Sequence, residues 1–144
     1  MRYALLICND ENAVISPEEQ SRRAAAFTSF REEMEARGVL LGSVRLRPTT
    51  MSTTVQVRDG DLAIADGPFA ETKERIAGFY LIDCTHLDEA IKVAAKVPAA
   101  RYGTVEVRPV WEMRQRDQPA MSEGSAPSGT SEGVHPAGRH SSYE

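Results

Sequence analysis

Two short runs that are apolar on both faces limit what this chain can fold into. In residues 2–8, Tyr3, Leu5 and Ile7 alternate with Ala4, Leu6 and Cys8. In residues 76–84, Phe79 and Leu81 alternate with Tyr80, Ile82 and Cys84. Successive side chains of a strand point to opposite faces of its sheet, so strands of this kind need cover on both sides. Two helices are available to supply it. Ser16-Pro17-Glu18-Glu19 combines an N-cap serine, a proline in the first turn and a capping-box glutamate. That helix is predicted to run to about Arg37, with Gly38 as a left-handed stop. Its buried stripe is expected at Ala24, Phe27, Phe30 (or Arg31) and Met34. Thr85 and Asp88 open the second helix, Leu87, Ala90, Ile91, Ala94 and Ala95 form its apolar face, and Pro98 stops it.

The remaining segments read as strands. Residues 39–46 form one, broken by Arg47-Pro48-Thr49-Thr50. Residues 53–58 and 61–65 alternate apolar with polar or small side chains across Asp59-Gly60, a strong hairpin signal. Residues 104–113 form the last strand. Pro109 within it removes a backbone donor, which predicts an edge position or a bulge. The order is strand, helix, strand, hairpin, strand, helix, strand. It points to an α+β fold of the ferredoxin-like, split βαβ kind, with two helices on one face of an antiparallel sheet. Two helices leave the other face bare. A second copy of the chain, packed sheet against sheet, is the economical cover, so a homodimer is expected.

Composition sets the boundaries. Residues 115–144 hold six Ser, four Gly and three Pro with little apolar clustering. Such a stretch cannot offset its ordering entropy by burial, so a disordered tail is predicted after a folded domain at 1–114. The domain carries 15 Lys and Arg against 17 Asp and Glu, a net −2, and the tail two against four, also −2. Neither is a basic footprint, which argues against direct nucleic-acid binding. Cys8 and Cys84 have no metal-site spacing and read as buried structural thiols. The apolar run near the start is too short for a signal peptide, and no window approaches membrane-spanning length. A reducing cytoplasm is the expected compartment.

Between the hairpin and the residue 76–84 strand lies Asp66-Gly67-Pro68-Phe69-Ala70-Glu71-Thr72-Lys73-Glu74. This run resembles the signature of the DGPF group within the YCII-related family. Gly78-Phe79-Tyr80, Leu87-Asp88-Glu89-Ala90, Pro98 and Glu106-Val107-Arg108-Pro109 extend the resemblance over about residues 1–113. It implies a ferredoxin-like dimeric α/β barrel. Some family members carry a His/Asp pair in a cleft and are regarded as enzymes. This chain has no His before His86, and His135 and His140 lie in the tail, so an imidazole mechanism is not expected. Some relatives are linked with transcription through sigma factors, although nothing in these residues favours DNA contact.

The motif has chemistry of its own. Gly67-Pro68 forces a turn that is expected to bring Asp66, Glu71, Lys73 and Glu74 together. Neighbouring carboxylates raise one another's proton affinity, which suits acid–base work by Asp66 with Glu71 and Glu74. Lys73, with Glu106 and Arg108 from one face of the last strand, is suited to hold a small polar or anionic molecule. The same charges can instead be structural, as Lys73–Glu106 or Arg108–Glu74 ion pairs. Asp66, Glu71, Glu74 and Glu106 offer oxygen ligands, but no His or Cys joins them, so neither a metal nor a cofactor is expected. Two functions follow: a small cofactorless enzyme working through this cluster, or a non-catalytic binding or regulatory module.

Overall fold

The structure is a computed structural model and describes residues 1–113. The tail expected at 115–144 lies outside the described residues. Six strands and two helices follow in the order β1 (Arg2–Asn9), α1 (Pro17–Ala36), β2 (Leu40–Arg45), β3 (Thr53–Arg58), β4 (Asp61–Asp66), β5 (Arg75–Asp83), α2 (Leu87–Lys96) and β6 (Thr104–Pro109). Short 3-10 turns occupy Thr49–Met51 and Pro98–Arg101. Four strands form one antiparallel sheet in the order β2-β5-β1-β6, while β3 and β4 form a separate hairpin. This is the ferredoxin-like α+β arrangement with a hairpin inserted between its second and third sheet strands.

The core lies on one face of the sheet. Tyr3, Leu5 and Ile7 of β1 and Tyr80 and Ile82 of β5 pack with Phe30 and Met34 of α1 and Ala90, Val93 and Ala94 of α2. The helix positions differ in part from the sequence expectation. Ala24 of α1 is exposed, and Phe27 is only partly buried. On α2, Val93 is buried while Leu87 and Ile91 are about half exposed. On both helices the buried stripe is narrower than the apolar periodicity suggests, Phe30 and Met34 on α1 and Ala90, Val93 and Ala94 on α2. Electrostatic contacts tie the helices to their surroundings: Lys96 Nζ meets Glu33 Oε1 at 2.6 Å, and the Arg23 guanidinium lies 3.6 Å above the Tyr102 ring.

The helix starts are built much as the residues imply. Ser16 Oγ accepts from the Glu19 N–H at 3.1 Å, but the Glu19 carboxylate turns outward to Arg22 and Arg23 instead of closing a capping box. In α2 the cap is His86, whose Nδ1 accepts from the Glu89 N–H at 3.3 Å. Glu89 Oε2 in turn accepts from the Thr85 N–H at 2.7 Å. At the hairpin tip Asp59 and Gly60 both have positive φ, 51° and 80°, as a two-residue turn of that twist requires. β6 lies at the sheet edge, where the missing N–H of Pro109 is harmless, and it ends at Pro109, short of the expected Met113.

Cross-strand pairing identifies the other face. Ala4, Leu6 and Cys8 of β1 stand opposite Leu81, Phe79 and Ile76 of β5, and opposite Arg108, Glu106 and Thr104 of β6. A bulge at Ala77 brings Ile76 onto the same face as Phe79. Val44 of β2 pairs with Phe79. Among the described residues no helix covers this face, and Val44, Leu46, Ile76 and Phe79 are each 37–47% exposed.

Candidate functional site

One end of the sheet collects polar groups from several segments. Here β1 finishes, β5 and β6 begin, and the Thr49–Met51 turn closes over the edge. Just after β1, the Asp10 carboxylate accepts from the Asn12 N–H at 2.9 Å and bends the chain. The bend presents Glu11 to Thr49. Glu11 Oε1 accepts from the Thr49 N–H at 3.0 Å and Oε2 from the Thr49 hydroxyl at 2.7 Å. Arg75, the first residue of β5, lies 3.5 Å from Glu11 Oε2, donates to the Thr49 hydroxyl oxygen, and donates from Nε to the Thr72 carbonyl at 3.2 Å. The Glu11 and Arg75 side chains are only 17% and 19% exposed, the least exposed ion pair among the described residues.

Next to this network the motif reaches the open sheet face through one residue. Glu74 Oε2 accepts from the Thr104 hydroxyl at 2.8 Å, fastening the loop to β6. Cys8, which pairs with Thr104 across the strands, lies within the field of both Glu74 and Glu106. Partial burial, and then the negative charges of Glu106 and Glu74, push its thiol above the ordinary range and keep it protonated. Glu106 in turn pairs with Arg108 at 3.5 Å along the exposed side of β6. Cys8 is partly buried, Cys84 is buried, and neither is in a disulfide.

The other motif residues stay outside this group. Asp66 ends β4 and is exposed, as are Glu71 and Lys73. Among the described residues no ion pair joins Asp66, Glu71 or Lys73 to Glu74, Glu106 or Arg108. The anticipated Lys73–Glu106 and Arg108–Glu74 pairs are replaced by Glu106–Arg108 and Glu74–Thr104. The reason is the path of the turn. Gly67, at φ 97°, folds the loop back onto the hairpin, where its N–H donates to the Ser52 carbonyl at 2.7 Å and its carbonyl accepts from the Thr54 hydroxyl at 2.7 Å. Pro68 and Phe69 then line a shallow hollow against Thr54, Gln56, Ala63 and Ala65, with Phe69 left 82% exposed. The gathering of charge around the turn is therefore partial: Asp66, Glu71, Lys73 and Glu74 are all exposed, and only Glu74 is bonded to the sheet, through Thr104.

Glu11, Thr49, Arg75 and Thr104 were not singled out by their sequence context. The one signal was position, because Glu11 and Arg75 flank the ends of two adjacent strands. Among the described residues no three His, Cys, Asp or Glu side chains are grouped to hold a metal ion, and no helix is long and apolar enough to cross a membrane.

An antiparallel sheet with both helices on one face, a detached hairpin and a polar strand-end network define a ferredoxin-like α+β protein. Within that class, the chain belongs to the YCII-related domain family, whose model matches residues 1–114. A protein of Rhizobium meliloti (strain 1021), described only as uncharacterized, is 41% identical over 114 residues, covering 76% of this chain and 92% of that protein. A solved structure of 5-chloro-2-hydroxyhydroquinone dehydrochlorinase from Burkholderia phenoliruptrix AC1100, in complex with 2,5-dihydroxybenzoquinone, is similar with a TM-score of 0.47 and 12% identity. The match covers 82% of this chain and all of that one.

Proposed function

We propose that this protein is a small cofactorless enzyme of the cytoplasm that works as a homodimer on a small polar or anionic molecule, held at the polar end of the open sheet face. The observation that carries this reading is the Glu74–Thr104 hydrogen bond, which fixes the motif carboxylate at the start of β6, next to the shielded Glu11–Thr49–Arg75 network. Glu74 is the motif carboxylate placed to exchange a proton with a ligand on that face, assisted by the Thr104 hydroxyl. Arg108 supplies a cationic fork for a carboxylate or phosphate, and Glu106 orients it. Asp66, Glu71 and Lys73 lie on the exposed loop outside this group and take no part in the proposed chemistry. The Glu11–Arg75 pair positions the start of β5, and through it Glu74.

A second reading is favoured by the exposure of Asp66, Glu71, Lys73 and Phe69. There the loop contacts a partner, and the protein is a binding or regulatory module without chemistry. A thermal-shift screen of small carboxylates, phosphates and phenols separates the two. A stabilising compound lost in Arg108→Ala, bound but unturned in Glu74→Gln, and converted by the wild type supports the enzyme. A compound that binds with no conversion, with affinity unchanged in Glu74→Gln, refutes the catalytic role.

A further inference from the structure

Among the described residues the β3–β4 hairpin has no apolar partner within its own chain. Val55 pairs with Ile64 and Val57 with Leu62, so all four lie on one face, and each is 58–64% exposed. Among the described residues β3 and β4 contact each other extensively and no other strand or helix to a comparable extent. A lone two-stranded hairpin is marginal in water, and four aliphatic side chains on one of its faces call for cover.

We infer that the hairpin is an arm whose Val55, Val57, Leu62 and Ile64 face packs on a second copy of this chain. The inference rests on the homodimer reading and extends it. Area decides the occupant. At these exposures the four arm residues offer on the order of 400 Å², and Val44, Leu46, Ile76 and Phe79 of the open sheet face roughly 300 Å² more, against about 800 Å² per partner in a stable interface. About 60% of such an interface is apolar, roughly 480 Å² per partner, so neither patch alone supplies it. The two patches together do, which places both in one twofold interface. The arm also determines where the motif loop sits. Gly67 is bonded to Ser52 and Thr54, and Pro68 and Phe69 lie against the hairpin's other face. Docking of the arm therefore leaves Phe69 and the following loop on the side of the hairpin away from the second copy.

The test uses the full chain. Sedimentation velocity is run over a dilution series on wild type, on Val57→Asp/Leu62→Lys, and on Phe79→Arg, with hydrogen exchange followed at the 53–66 amides. The arm substitutions fall on exposed side chains, so the monomer fold is expected to survive, as circular dichroism will verify. The expected result is a dissociation constant raised at least about 100-fold by the arm double substitution, since charges are forced into an apolar contact. Exchange protection of the hairpin is expected to fall as wild type is diluted. A dimeric wild type whose dissociation constant is unchanged by the arm substitutions, yet raised by Phe79→Arg, overturns the arm and leaves the sheet-packed homodimer standing. Hairpin protection independent of concentration overturns the arm in favour of cover from the same chain. A wild type that is monomeric throughout overturns both.

Discussion

Removing Arg75 tests whether the strand-end network holds the site together. In Arg75→Met the guanidinium is replaced by an apolar chain that fills part of the same space. Three contacts disappear: the ion pair with Glu11 at 3.5 Å, the bond to the Thr49 hydroxyl and the bond to the Thr72 carbonyl at 3.2 Å. Hydrogen bonds involving a charged group contribute about 1.5–3 kcal/mol when fully shielded, but at this partial exposure the three together are expected to be worth about 2 kcal/mol. Glu11 keeps both of its bonds from Thr49, so it is not left wholly unpartnered. For a domain of this size the loss corresponds to a melting temperature lower by roughly 5–10 °C. The assay is thermal unfolding of wild type, Arg75→Met, Glu11→Gln and the double variant. A double-mutant cycle is expected to return a coupling of about 1 kcal/mol that weakens little in high salt, because the pair is shielded. Additive effects of the two substitutions would refute the claim that Glu11 and Arg75 act as one unit.

Two other perturbations address the scaffold. A Cβ at Gly78 would fall well inside contact with the Val44 carbonyl oxygen on β2, which is backbone and cannot swing away. Gly78→Ala is therefore expected to cost about 2–4 kcal/mol by denaturant titration, whereas Gly42→Ala, with open space at its Cβ, should be near neutral. The Glu89 carboxyl is held below its ordinary range, chiefly by the Thr85 N–H. Its contribution is present above the ordinary glutamate range and is lost as pH falls through the depressed value. Glu89→Gln should thus narrow the stability difference from wild type as the solution is acidified, and a difference constant with pH would exclude that linkage.

Much of the architecture was legible because it depends on local rules. Asp59-Gly60 allows the positive φ that a tight hairpin needs, Ser16-Pro17 starts a helix, and Pro109 suits only an edge. The candidate site was legible in part. The motif turn is where the residues implied, and Glu106 and Arg108 share a strand face. The partners within the site were not legible, because ion pairing depends on which way a loop leaves its turn. The Gly67 backbone bonds to Ser52 and Thr54 send Asp66 away from the sheet, and only Glu74, adjoining β5, reaches β6.

The alternation of apolar residues in β1 and β5 determined, without any coordinates, that the sheet has two faces in need of cover and that two helices can serve only one. Periodicity is a property of the chain itself, so it can be read directly. Only the tertiary structure decided that Glu11, Thr49 and Arg75 meet, and that among the described residues the hairpin stands apart with its aliphatic face open. Those facts depend on register and on distances between residues far apart in sequence, which no local pattern encodes.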